Sequence, residues 1–143
     1  MIKPQLKSQV LILFIVGIIA IIALCIFSFN HVTRVIPYTP QVEPTTDLAY
    51  SVDIVELTDD SLVIIGWASE PSAPLNTYKT HILLKDEDEK FYKLPTQLQA
   101  KPNVYVSKVR LSKLKQPYEQ YRIYILYENN DEYILRDTDK YVQ

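Results

Sequence analysis

Catalysis needs side chains that move protons or attack electrophiles, and this chain offers few of them. Its 143 residues include two histidines, His31 and His81, and one cysteine, Cys25. Cys25 lies inside a long apolar run and His31 just beyond it, so a Ser-His-acid triad would have only His81 to use. No nucleophile motif accompanies His81, which alternates with apolar positions in a stretch flanked by Lys79 and Lys85. It reads as a solvated strand histidine. One histidine and no further cysteine also exclude a zinc site of the usual ligand sets. Beyond the apolar run Gly66 stands alone, which excludes a P-loop, a dinucleotide fingerprint and a glycine-bearing EF-hand loop. The run Asp86-Glu87-Asp88-Glu89 has the oxygen donors for a hard cation, but Lys85 and Lys90 offset its charge. A hairpin turn is the expected reading there, as it is for Glu128 to Glu132. No catalytic, cofactor-binding or metal-ligating residue is therefore assigned, and an enzyme is not expected.

The aromatic side chains are the remaining candidates. Ten of the eleven tyrosines follow Thr46. Tyr105 and Tyr124 are read as facing outward, where an aromatic ring with a polar tip suits a contact surface for a sugar polymer or a partner protein. The more ordinary role of strand tyrosines is cross-strand pairing. Leu62-Val63-Ile64-Ile65-Gly66-Trp67-Ala68 holds the chain's single tryptophan. It reads as a central strand with Trp67 a buried anchor and Gly66 admitting a bulge or a close neighbour. The other reading makes Trp67 a ligand platform.

Short runs of Val, Ile, Leu and Tyr, separated by Asp, Asn, Ser and Pro, must position these residues. Strands are expected near 48–57, 62–69, 78–85, 91–97, 104–111, 121–128 and 132–136. Thr80, Ile82 and Leu84 alternate with Lys79, His81 and Lys85, and Ile123, Ile125 and Tyr127 with Arg122, Tyr124 and Leu126. One face is expected to be packed and the other partly wet. Seven such strands predict an all-β fold: an antiparallel immunoglobulin-like β-sandwich, with a small β-barrel as the alternative.

What precedes the strands is of another kind. Val10 to Phe29 runs twenty residues without a charge, the length needed to cross a hydrocarbon core of about 30 Å. It is too long for the apolar region of a cleaved signal, and Phe27-Ser28-Phe29-Asn30-His31 are poor for cleavage, so a retained signal anchor is expected. Lys3 and Lys7 precede it and Arg34 follows, placing the N-terminus in the cytoplasm and the rest outside. The expected organisation is a cytoplasmic N-terminus over 1–9, a transmembrane anchor over 10–30, a Pro-containing tether over 31–46 and an extracytoplasmic domain over 47–143. Beyond Thr45, twelve Lys and Arg meet sixteen Asp and Glu. That mixed, mildly acidic surface argues against nucleic acid as a partner.

Ile65-Gly66-Trp67-Ala68, Ile82-Leu83-Leu84-Lys85-Asp86, Phe91-Tyr92-Lys93-Leu94-Pro95-Thr96, Lys101-Pro102-Asn103-Val104 and Tyr121 through Asn129 resemble a β-sandwich module of bacterial cell-envelope proteins, over about Asp47 to Tyr141. The resemblance implies an accessory role in envelope-polymer biosynthesis and carries over no catalytic residue. The expected function is that of a non-enzymatic, membrane-anchored binding protein whose partners are the lipid bilayer and an envelope polymer or membrane protein. A structural or assembly subunit of a larger membrane complex is the alternative. A hydrolase comes third.

Overall fold

A computed structural model describes residues 4–45, 48–69, 78–98, 103–129 and 132–143. The junction at 46–47, the Lys101-Pro102 pair and the Asn130-Asp131 part of the last turn lie outside the described residues. The chain divides into two compact units, Met1–Thr33 and Arg34–Gln143.

The first unit is one helix, α1, over Pro4–Val32. Gln5–Val32 is long and apolar enough to cross a membrane, and its most apolar 18-residue window has a mean hydropathy of 3.5. Apolar side chains are exposed on every side of it, a pattern that is stable only where the surroundings are also apolar. Proline at the first helical position removes no intrahelical hydrogen bond. Thr33 closes the other end, its backbone N–H and its hydroxyl both donating to the Phe29 carbonyl at 3.0 and 2.8 Å.

The second unit is all β among its described residues, apart from two single 3-10 turns at Leu111–Lys113 and Tyr118–Gln120. Its strands are β1 (Ile36–Tyr38), β2 (Ala49–Leu57), β3 (Ser61–Ser69), β4 (Tyr78–Lys85), β5 (Phe91–Lys93), β6 (Thr96–Leu98), β7 (Val104–Arg110), β8 (Arg122–Asn129) and β9 (Glu132–Tyr141). They form two antiparallel sheets, a five-stranded one in the order β1-β5-β4-β8-β9 and a four-stranded one in the order β2-β3-β7-β6. Separate sheets set the small-barrel alternative aside.

Both sheets contribute to one core. Val52, Leu62, Ile64, Tyr105 and Val109 of the four-stranded sheet pack in one cluster with Ile82, Leu84, Ile123, Ile125 and Tyr127 of the five-stranded sheet. At Gly66 an added Cβ would lie 2.0 Å from the Ser51 carbonyl oxygen and 2.5 Å from the Tyr105 hydroxyl. Only glycine lets β2 approach β3 so closely.

Nine described strands stand where seven were expected, for two reasons. The 91–97 run is two strands in different sheets: β5 pairs with β4 and β6 with β7. The switch falls at Leu94-Pro95, where proline cannot continue a ladder. Leu94 instead donates its N–H to the Ile82 carbonyl at 2.9 Å, and the buried Ser107 hydroxyl donates to the Pro95 carbonyl at 2.8 Å.

The second reason is β1, which comes from the stretch expected to be a tether. Ile36–Tyr38 pairs with β5 at one edge of the five-stranded sheet. Pro44 then forms a parallel bridge with Leu135 on β9, at the opposite edge, and Thr45 N–H donates to the Leu135 carbonyl at 2.8 Å. Strands about 4.8 Å apart separate β1 from β9 by about 19 Å, a distance within the reach of the six residues from Tyr38 to Pro44, which span at most about 20 Å. The segment is thus a strap drawn across the outer face of the sheet. Beneath it Leu83, Tyr124, Leu126 and Leu135 form a second buried cluster, against which Tyr38 and Val42 pack. The face expected to be partly wet is dry at its centre.

Candidate functional site

Polar groups gather at both ends of the strapped face. At one end Arg122 Nε donates to Asp137 Oδ1 at 2.8 Å while Nη2 lies 2.6 Å from Oδ2, a bidentate pair that also reaches Asp139. Asp139 has φ 55° and lies within the slip of β9 against β8, between Asp137, paired with Tyr124, and Lys140, paired with Ile123. Burial would raise the Asp137 carboxyl, but Arg122, the Asp139 N–H and the Tyr124 hydroxyl together hold it below its ordinary 3.8. Burial first, and then the Asp137 charge, push the Tyr124 phenol up to about 12. These groups satisfy one another and pin the bulge.

At the other end His81 Nε2 lies 3.5 Å from Glu128 Oε2, and Lys93 Nζ 3.8 Å from Glu128 Oε1, with Lys93 over the Tyr38 ring at 5.7 Å. Burial, and then the Lys93 charge, lower the imidazole below its ordinary 6.5 and outweigh the carboxylate. His81 is therefore neutral at pH 7, so its contact with Glu128 is a weak polar contact rather than an ion pair. The cluster ties β4, β5 and β8 together through side chains that face one another.

The outer face of the four-stranded sheet differs in kind. On β3 the odd positions from Val63 onward point out, and Trp67 is 38% exposed with Val63 and Ile65 half-buried beside it. The pairing sets three rows across the sheet: Ser51, Trp67 and Val104; Ile54, Ile65 and Val106; Glu56, Val63 and Lys108. Ile54, at 44% exposed, and Trp67 are the large apolar side chains most open to solvent among the described strand residues of this sheet. Six apolar side chains thus form a continuous strip, with a carboxylate at one border and an ammonium at the other.

The expected contact tyrosines lie elsewhere. Tyr105 is 0% exposed and faces the core, where its hydroxyl donates to the Ser51 carbonyl at 3.2 Å. Tyr124 is 4% exposed and lies in the strapped cluster, edge-on to Phe91 with ring centres 5.1 Å apart. Neither presents a contact surface. Trp67, expected as a core anchor, points out of the sheet, while Gly66 takes the buried position. The signal that places Tyr105 was available: Lys108 and Arg110 mark the even positions of β7 as wet, so the odd position 105 is buried. For Trp67 no such marker exists, because β3 is apolar on both parities.

No family model matches the chain, and no curated protein matches it. Two solved structures of S. aureus TarS resemble it at 12% identity with a TM-score of 0.52. One match covers 62% of this chain and 16% of that one, and the other, to TarS residues 217–571, covers 67% and 27%. The chain therefore spans a small part of either TarS chain. At this identity the likeness concerns the fold.

Proposed function

We propose that this is a membrane-anchored, non-enzymatic accessory protein. In this reading α1 is retained in the bilayer with its N-terminus cytoplasmic, and an immunoglobulin-like sandwich is presented on the extracytoplasmic side. The domain binds another envelope component through the outer face of the four-stranded sheet. The observation that carries the reading is Trp67, held out of the core on a central strand beside Ile54 and Val104. A large aromatic on a rigid, open, apolar face is the usual anchor of a protein contact. Sugar sites set polar side chains around their aromatic platform to meet hydroxyl groups. Here the polar side chain paired beside Trp67 is Ser51, whose hydroxyl is already hydrogen-bonded to Asp53, while Ile65, Val104 and Ile54 make up the rest of its surroundings, so the mainly apolar face favours a protein partner, as in a structural or assembly subunit, over an envelope polymer.

The test places a photo-reactive amino acid at position 67 of the full chain in native membranes, with position 87 in the acidic turn as control. The expected result is a defined protein adduct from position 67 alone. Adducts to isolated envelope polymer would restore the polymer reading, and equal labelling from both positions would remove the face from consideration.

A further inference from the structure

We infer that the occupant of this face is a second copy of the same chain, seated face to face about a two-fold axis that runs along β3. The inference rests on the binding role proposed for the face and names its partner.

The rows decide the matter. A two-fold axis lying in the plane of contact and parallel to β3 carries β2 of one copy over β7 of the other, row by row, because these strands flank β3 at equal spacing. Residues of β3 meet themselves, Trp67 against Trp67 and Ile65 against Ile65. In the middle row Ile54 of each copy covers Val106 of the other. In the row of Val63, Glu56 of each copy faces Lys108 of the other, twice per dimer. Neither Glu56 nor Lys108 has an ion-pair partner within its own chain among the described residues. The middle row is self-complementary in shape class and the row of Val63 in charge, as an isologous contact requires, while Asp53, in the β2 bulge and hydrogen-bonded to the Ser51 hydroxyl, has no cation set opposite it.

The strip is also small. Three strands by three rows offer about 300 Å² of sheet, below the roughly 800 Å² per partner of a standard interface. Such a dimer is weak in free solution and depends on the confinement an anchor provides, since holding both copies in one membrane raises their effective concentration.

The experiment uses the full chain in lipid vesicles, labelled at the N-terminus with donor or acceptor dye, with energy transfer followed as the protein-to-lipid ratio rises. Glu56→Lys and Lys108→Glu each create two like-charge contacts and are expected to weaken association about fivefold. The double variant reverses both members of each pair and is expected to return to the wild-type curve. Trp67→Ala is expected to weaken association about tenfold. All these positions are exposed, so the fold is retained in each variant. A double variant that is worse than either single one overturns the inference. So does transfer that none of the variants changes, because then α1 alone brings the copies together. If transfer is indifferent to all of them while position 67 still captures a different envelope protein, the accessory-binding reading stands and the second copy is excluded. If position 67 captures nothing and transfer is indifferent, both fall.

Discussion

The two sheets turn their outer faces to opposite fates. The five-stranded sheet has its outer face closed by the chain's own residues: the strap from Tyr38 to Thr45 lies over Leu83, Leu126 and Leu135, and Arg136 Nη1 grips its end by donating to the Thr45 carbonyl at 3.2 Å. The four-stranded sheet has an outer face of similar apolar character, yet no segment crosses it among the described residues, and Trp67 and Ile54 stand in the open. A face whose burial stabilises the fold and a face kept for contact with another molecule can have the same side-chain chemistry. What separates them is whether the chain supplies a cover.

That comparison can be broken at its firmest point first. Gly66→Ala drives a methyl group against the Ser51 backbone carbonyl, and the full chain in detergent is expected to lose its cooperative unfolding transition. Adding Tyr105→Phe removes the hydroxyl that also crowds Gly66 but leaves the backbone oxygen in place, so no rescue is expected. Recovery in the double variant would show that side chains rather than backbone set the approach of β2 to β3. A smaller effect separates the two outer faces directly. Leu126→Ala, under the strap, is expected to cost about 3 kcal/mol in denaturant unfolding. Ile54→Ala on the open face is expected to cost about 0.5 kcal/mol. Equal losses would mean that the two faces are alike and that the open one is covered within its own chain.

The sequence announced the sheets more clearly than it announced their surroundings. Alternation in β4 and β8 placed Ile82, Leu84, Ile123 and Ile125 in the core, because one strand's parity is a local property. Leu83, Tyr124 and Leu126 share a parity with Lys85, Arg122 and Glu128, so local pattern makes them wet. The strap that buries them comes from about forty residues or more upstream. Its own signal is slight, with Ile36, Tyr38 and Val42 set among the prolines of a stretch that composition alone reads as tether. The candidate site failed in the same way. Trp67 belongs to a strand apolar on both parities, and only its register with Ser51 and Val104 shows which side it takes. Register between distant strands is not encoded in any one of them.

The smallest expected effect is also the one that tells the faces apart by titration. His81 belongs to the strapped face, where Lys93, Lys79, Glu128 and, through Lys93, Tyr38 surround it. Its pKa in the folded protein is lowered, so the unfolded chain binds the proton more readily and folding favours the neutral imidazole. The stability this contributes is fully present above the unfolded value of about 6.5 and is lost as pH falls from there through the folded pKa. Denaturation midpoints of the full chain should therefore drop between about pH 7 and pH 5. His81→Gln should flatten that slope by removing the titrating group, whereas Trp67→Ala should shift the curve without changing its shape. A slope that survives His81→Gln would assign the pH response to the carboxylates instead. The strapped face would then be no more sensitive to protons than the open one.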